Sequence, residues 1–155
     1  IIYFGLMYTK NGMKVIEYNA RFGDPETQVI LPRLKTDLLE IMLACTNGTL
    51  DEINIEWYDN AAVCVILASG GYPVSYEKGY TITGLEEIAK KENTIVFHSG
   101  TAKKDGKFIT SGGRVLGITG IGNTIEEAIQ TAYEGVKIVD FDKKHFRTDI
   151  GKKEY

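Results

Sequence analysis

Residues 17–28 read EYNARFGDPETQ and place a carboxylate, an amide and a guanidinium on alternate positions. Apolar residues fill the positions between Glu17, Asn19 and Arg21. Alternation with period two predicts a strand that has one polar and one apolar face. The three polar side chains therefore form one row, with neighbours about 7 Å apart along the strand.

This row has the composition of a ligand site. Carboxylate and amide oxygens are hard ligands that suit Mg²⁺, which takes one or two protein ligands together with substrate phosphates. The planar fork of an arginine can hold a carboxylate or a phosphate with two hydrogen bonds. The row thus predicts a metal site at Glu17 and Asn19 beside an anion site at Arg21. The alternative is a solvated strand face with a weak Glu17–Arg21 ion pair.

The residues before this row predict a hairpin. Asn11-Gly12 is the pair favoured at the centre of a two-residue type I′ turn. That register places Leu6 opposite Glu17 and Phe4 opposite Asn19, so that both apolar side chains share the polar face. A mixed face of this kind suits a pocket for a flat apolar ring with a charged tail, and Phe4 and Leu6 are its expected cofactor-binding residues.

The residues after the row predict two helices. Asp24 is a plausible N-cap with Pro25 at the first helical position. A second helix is expected from Thr36 or Asp37 to a stop at Gly48. The polar stretch 48–60 marks a boundary.

The second half of the chain predicts a domain of its own. AAVCVILAS, residues 61–69, is a continuous apolar run typical of a fully buried strand. A short helix (LEEIAKKE), a strand (TIVFHSG), a hairpin that turns at Asp105-Gly106 and a strand (RVLGITGIG) follow. An amphipathic helix comes next, with Asn123 or Thr124 as its cap and Glu126 or Glu127 as the capping-box acid. The fold class predicted is α+β.

Composition excludes several classes of protein. The chain has 155 residues, a net charge of −3, 43% hydrophobic and 25% charged residues, which fits a domain with a real core. The only basic run, around Lys143, Lys144 and Arg147, is expected to be a solvated end, so nucleic acid is not a predicted partner. The opening IIYFGLMY is too short to span a bilayer and lacks the basic flank of a signal peptide, so no membrane is expected. Because it begins inside a strand without Met, we expect a piece of a longer chain.

Cysteines and glycine-rich turns complete the candidate residues. Cys45 and Cys64 have no metal or redox pattern and are expected to be reduced and buried, as in a cytoplasmic protein.

The turns SGGYP (69–73) and SGGR (111–114) could present backbone N–H groups to a phosphate. Gly112, Gly113 and Arg114 are then candidate substrate-binding residues, although glycines also simply permit tight turns. His98 is expected to be a packed histidine.

Several motifs in order resemble one family of ligases. VIEYNARFGDPETQ resembles the Glu-x-Asn-x-Arg strand of the ATP-grasp superfamily, and RFGDPETQ is similar to the glycinamide ribonucleotide synthetases within it. The resemblance continues through ASGGYP, YEKG, ITG, FHSGT, DGKFITSGGRVLGIT and HFRTDIG, and so covers nearly the whole chain. It implies that residues 1–47 are the carboxy-terminal end of an ATP-grasp domain, 48–60 a linker and 61–155 a small carboxy-terminal domain.

The resemblance also implies a reaction. ATP phosphorylates the carboxylate of glycine, and the amine of 5-phosphoribosylamine attacks the glycyl phosphate to give the amide, ADP and phosphate. Glu17 and Asn19 would hold Mg²⁺ (or Mn²⁺) on the ATP phosphates, and Arg21 would stabilise charge on the transferred group. Asp24 and Glu26 are candidates for orienting an ammonium or accepting its proton. For Asp24, a helix cap is the alternative.

Some family features are missing. Many ATP-grasp enzymes carry a further acidic metal ligand on the preceding strand, whereas Gly5, Leu6 and Met7 stand there. The groups that clamp ATP and adenine would belong to the rest of the ligase chain, so this chain by itself is expected to be inactive. Another ATP-grasp carboxylate–amine ligase or carboxylase, or a non-catalytic binding module, are the other interpretations.

Overall fold

A four-stranded antiparallel sheet in the second half of the chain forms the centre of the structure. The computed structural model describes residues 1–152. Its strands are β1 Tyr3–Thr9, β2 Gly12–Asn19, β3 Ala61–Ser69, β4 Thr94–His98, β5 Thr101–Lys104, β6 Lys107–Thr110, β7 Arg114–Gly122 and β8 Lys144–His145. Its α-helices are α1 Thr27–Ile30, α2 Leu38–Asn47, α3 Leu85–Ile88 and α4 Ile125–Ile138. The strand order in the central sheet is β4-β7-β3-β8, which confirms the predicted α+β class.

The two inner strands of this sheet, β3 and β7, are buried on both faces. Their register pairs Val65 with Ile118 on one face and Cys64 with Thr119 on the other. Helix α4 packs against both strands, and α1 also contacts both of them. The continuous apolar run at residues 61–69 is therefore a buried strand, as the sequence predicts. The core comprises Val63, Val65, Leu67, Ile82, Ile88, Val115, Leu116, Ile118, Ala128, Ala132, Val136, Val139 and Phe141.

The helix caps and one turn follow the sequence rules. Thr124 Oγ1 accepts a hydrogen bond from the Glu127 backbone N–H at 3.2 Å, and the Glu127 carboxylate accepts one from the Asn123 N–H. Asp37 caps α2 through the Leu39 N–H at 2.7 Å, and Gly48 ends that helix at φ 73°. The β5–β6 hairpin turns at residues 105–106, where both φ values are positive. All these predictions are confirmed.

The register predicted for the first hairpin is wrong. Thr9 pairs with Gly12, so the turn residues are Lys10-Asn11 rather than Asn11-Gly12. The Thr9 hydroxyl explains the shift, because it accepts from the Asn11 N–H and donates to the Gly12 carbonyl, which closes the turn one residue early.

A bulge then changes the register again. It falls between Gly5 and Leu6, so Leu6 pairs with Val15 and Gly5 pairs with Glu17. Phe4 pairs with Tyr18 and therefore lies on the opposite face from Glu17 and Asn19.

Two further expectations are wrong in part. Lys143 and Arg147 of the basic run are more than half exposed, as expected. Lys144 is not in a solvated end, because its side chain is only 14% exposed and its Nζ donates to the Val136 and Val139 carbonyls at the end of α4. A cation at a helix C-terminus satisfies carbonyls that have no partner within the helix. Cys64 is buried as predicted, but Cys45 is exposed.

Much of the first hairpin's apolar surface is exposed. Phe4, Leu6, Met7, Tyr8, Met13, Val15, Ile16 and Tyr18 are all about half exposed or more. Within residues 1–152, β1 and β2 pair only with each other. No helix in this described part of the chain has the length and apolar character to cross a membrane.

Gly120 provides a test of the central packing. A Cβ at this position would lie 2.3 Å from Ala132 N and 2.5 Å from Ala128 O, both backbone atoms of α4. Gly120→Ala must push the helix off the sheet, and we expect a loss of at least about 1–3 kcal/mol in the free energy of unfolding.

Gly117→Ala is the matched control for a urea titration of both variants. It adds the same methyl to the same strand but meets the side chains of Cys64 and Ile66, at 3.1 and 3.4 Å. We expect a smaller loss there. Equal losses in the two variants would contradict the close backbone contact.

Candidate functional site

A hollow of about 260 Å³ lies between the first hairpin and the loop that follows it. Its lining residues come from β1, β2 and residues 21–26: Tyr3, Gly5, Leu6, Ile16, Glu17, Asn19, Arg21, Gly23, Asp24 and Glu26. The metal and catalytic candidates Glu17, Asn19, Arg21, Asp24 and Glu26 are thus all at one hollow. The structure brings them together, and their roles stay predictions.

The polar row lies on one side of this hollow. Asn19 Nδ2 donates to Glu17 Oε1 at 3.1 Å, so these two side chains are in contact. Arg21 Nη1 donates to the neighbouring Phe22 carbonyl at 2.7 Å. Among the ion pairs of residues 1–152 there is none between Glu17 and Arg21. The simple surface pair that the sequence left open is therefore not formed.

The two apolar candidates are separated by the register. Leu6 lines the hollow, whereas Phe4 packs edge-on against Tyr18 with ring centroids 5.2 Å apart. Gly5 takes the place opposite Glu17. The shared face predicted for Phe4 and Leu6 is wrong because the turn and the bulge both shift the pairing.

Glu26 is held from the hairpin side. The Tyr3 hydroxyl donates to the Glu26 carboxylate, and this hydrogen bond, followed by burial, raises the pKa of Tyr3 above its ordinary value. The contact joins β1 to the loop at the hollow, which both residues line. No sequence pattern indicates Tyr3, because only the observed register places it beside the loop.

Asp24 is not a helix cap. Helix α1 begins at Thr27, its N-cap position is Glu26, and no side chain caps it. Asp24 Oδ1 instead accepts from Gln28 Nε2 at 2.9 Å, and Oδ2 accepts from Arg114 Nη1 at 3.1 Å. Pro25 accordingly precedes the helix rather than starting it.

Arg114 reaches Asp24 from the beginning of β7. Its Nη1 also donates to the Asp24 backbone carbonyl at 2.8 Å, although the two residues are 90 positions apart. The guanidinium also interacts with the Tyr72 hydroxyl. The sequence predicts that Arg114 binds substrate, but nothing in it predicts this contact with Asp24.

The two glycine-rich turns are bound to each other. Ser69 N donates to the Gly113 carbonyl at 2.8 Å, and Ser69 Oγ donates to the Gly112 carbonyl at 2.9 Å. A Cβ at Gly113 would lie 2.1 Å from the Tyr72 ring, so that ring requires a glycine beneath it. Close packing explains both glycines, and neither lines the hollow. Their role in substrate binding stays a prediction.

His98 does not line the hollow, and the described residues hold no dense cluster of metal ligands. His98 is exposed, lies 2.9 Å from the Thr101 hydroxyl and packs on Phe108. Within residues 1–152, no group of three or more His, Cys, Asp or Glu side chains is placed to hold a metal ion. A metal at the hollow would therefore rest on a carboxylate and an amide together with a ligand's own oxygens, as Mg²⁺ commonly does.

Comparison with protein families gives two matches along the chain. Residues 1–27 match the model described as "Phosphoribosylglycinamide synthetase, ATP-grasp (A) domain". Residues 62–153 match "Phosphoribosylglycinamide synthetase, C domain". The first match contains every residue that lines the hollow, and the second contains Arg114.

Individual relatives agree with these models. The chain is 53% identical over 150 residues to phosphoribosylamine–glycine ligase of Caldanaerobacter subterraneus, covering 97% of this chain and 35% of the relative. It is 53% identical over 152 residues to the trifunctional purine biosynthetic protein adenosine-3 of Gallus gallus, covering 97% of this chain and 15% of that protein. The crystal structure of phosphoribosylamine–glycine ligase from Thermotoga maritima is similar with a TM-score of 0.73 and 38% identity, over 96% of this chain and 36% of that one. The chain thus spans about a third of the length of the single-function relatives.

Cys64 reports whether α1 and its preceding loop are docked on the sheet. Its thiol is buried near the Gln28 side chain, and burial raises the pKa of the thiol despite a hydrogen bond with Thr119. Because the thiolate is the reactive form, near neutral pH an aromatic disulfide reagent should label exposed Cys45 quickly and Cys64 far more slowly. Adding denaturant should abolish the difference.

Cys45→Ser is the control for this labelling experiment. It should remove the fast phase and leave the slow phase unchanged. A fast phase that persists in Cys45→Ser would mean that Cys64 is accessible and that α1 does not cover it.

Proposed function

The chain belongs to the phosphoribosylglycinamide synthetase family, and we propose that it supplies part of the active site of a ligase that joins glycine to 5-phosphoribosylamine. The products of that reaction are glycinamide ribonucleotide, ADP and phosphate, and its place is purine biosynthesis. The observation that carries the proposal is the single hollow lined by Glu17, Asn19, Arg21, Asp24 and Glu26.

The donor set at Glu17 and Asn19 fits a divalent cation of the Mg²⁺ type. Both side chains offer hard oxygens, they lie in contact at 3.1 Å, and they line the same hollow. Bound there with ATP, the cation would neutralise charge on the nucleotide's phosphates. Glu17 and Asn19 are the residues of this chain that would hold it.

Arg21 follows the metal candidates along the same row. We assign it the stabilisation of negative charge on the transferred phosphoryl group or on the carboxylate of glycine. Its Nη1 already donates to the Phe22 carbonyl, which limits the directions in which the guanidinium can point. A planar group held in this way can offer its remaining N–H groups to an anion as a fork.

Asp24 and Glu26 lie on the loop side of the hollow. Each offers a carboxylate that can accept hydrogen bonds from an ammonium or take up a proton as the amine attacks the glycyl phosphate. Tyr3 holds Glu26, and two side chains hold Asp24. Positioned acceptors of this kind orient a substrate amine relative to the group it attacks.

The exposed apolar hairpin fits the same proposal. A self-paired hairpin with this much exposed apolar surface is suited to packing against further protein. The partner we propose is the remainder of the ligase, including the groups that bind adenine and the ATP phosphates. Residues 1–47, 48–60 and 61–155 are then the end of the ATP-grasp domain, a linker and the carboxy-terminal domain.

Glu17→Gln in a full-length ligase that carries this segment tests the metal assignment. A neutral amide replaces a charged ligand, so we expect a sharp rise in the Mg²⁺ concentration needed for half-maximal phosphate release. Glu56→Gln is the matched control, because Glu56 is an exposed carboxylate whose one ion pair within residues 1–152 is with Lys35 at 3.1 Å. A Mg²⁺ dependence equal in Glu17→Gln and Glu56→Gln would remove Glu17 from the site.

Arg21→Lys tests the anion assignment. Lysine keeps the charge but lacks the two-pronged geometry, so turnover should fall by roughly 100- to 1000-fold if the contact is made in the transition state. Arg33→Lys is the control. It makes the same chemical change in the short 3-10 helix Leu31–Arg33, which does not line the hollow. Near-normal turnover in Arg21→Lys would point to a structural side chain.

A further inference from the structure

Two side chains from distant parts of the chain hold the Asp24 carboxylate. Gln28, one helical turn later, donates to Oδ1 at 2.9 Å. Arg114, at the start of β7, donates to Oδ2 at 3.1 Å and to the backbone carbonyl of the same residue at 2.8 Å. Asp24 remains 48% exposed at the rim of the hollow, so the carboxylate is fixed but accessible.

Gln28 is buried, and its only side-chain hydrogen bond in the described part of the chain goes to Asp24. The residue is 8% exposed, and its backbone carbonyl accepts from the buried Thr119 hydroxyl at 2.9 Å. Its Oε1 is buried without a partner within residues 1–152. Exchanging the amide's oxygen and nitrogen would set two acceptors against each other at Asp24, so the orientation is determined by that carboxylate. A buried oxygen without a hydrogen bond is unfavourable. The Gln28 amide nevertheless has the orientation in which its Nε2 donates to Asp24.

Arg114 holds the carboxylate from the other side. It is the first residue of β7, an inner strand of the central sheet, so its backbone is fixed by pairing. Its guanidinium lies between Asp24 and the hydroxyl of Tyr72, whose ring packs on Gly113. The side chain is 39% exposed and so reaches Asp24 at the surface rather than in the core.

We propose that Gln28 and Arg114 are positioning residues that aim the Asp24 carboxylate at the amino group of a substrate. A carboxylate offers about four lone-pair sites. The two donors occupy one site on each oxygen and leave one on each for N–H groups in the hollow. Neither donor touches the substrate, so both act through Asp24. This inference rests on the proposed ligase function. It makes Asp24, in the loop of residues 21–26, the partner of Arg114 in place of a phosphate.

Gln28→Met in a full-length ligase that carries this segment is the direct test. Methionine has a similar length but no donor, so the rate constant kcat/KM for one amine substrate should fall by roughly 10- to 100-fold. The KM for Mg-ATP should not change. Titrating glycine and 5-phosphoribosylamine separately identifies which amino group Asp24 meets.

Gln130→Met is the matched control. Gln130 Nε2 also donates to a carboxylate four residues away, Glu134 at 2.9 Å, but this pair lies on the exposed face of α4. Its kinetics should equal those of the wild-type enzyme. If Gln28→Met matches Gln130→Met, or if its loss falls equally on Mg-ATP, the proposal is overturned.

Variants of Arg114 test the same proposal if Gln28→Met fails to fold. Fast labelling of Cys64 would reveal that failure. Arg114→Met should raise the KM for the same amine substrate, and Arg114→Lys should restore part of the loss because lysine is still a cationic donor. Equal kinetics for Arg114→Met and the wild-type enzyme would refute the inference. A wild-type enzyme without glycine-dependent phosphate release would instead refute the proposed function.

Discussion

The close approach of α4 to the β3–β7 strand pair is the constraint on which the rest of the structure depends. Gly120 lets the backbone of the helix come almost into contact with β7, and Ala128 and Ala132 complete that contact without long side chains. The core thereby closes on one face of the sheet. The other face is left for α1, and the β7 strand that carries Arg114 is paired on both edges, with β3 and β4.

The candidate site depends on this sheet although most of its residues come from the first 26 positions. The hairpin contributes Glu17 and Asn19, and the loop contributes Arg21, Asp24 and Glu26. Docking of α1 against the sheet sets where that loop lies, through Gln28 and Thr119 in particular. Arg114 adds a second connection from the sheet to the loop. The central sheet therefore supports the hollow without lining it.

The sequence predicted those features that short-range chemistry determines. The buried strand at 61–69, the cap at Thr124 and the Asp105-Gly106 turn each depend on a few adjacent residues, and each is confirmed. The first hairpin failed because a threonine hydroxyl and a bulge, which compete with the Asn-Gly signal, set its register. Asp24 failed as a cap because its partner Arg114 lies 90 residues away, and Lys144 failed as a solvated side chain because helix carbonyls lie beside it. Local residue patterns do not identify the distant residue with which a polar group will pair.

The separation of Asp24 and Arg114 along the chain has a consequence for biosynthesis. A ribosome adds about 5–20 residues per second, so the carboxylate leaves the exit tunnel several seconds before the guanidinium that holds it. During that interval the loop of residues 21–26 has its hairpin neighbours but not β7. The rim of the hollow can therefore reach its final geometry only after the central sheet has folded. The rim is thus one of the last features to form in the nascent chain.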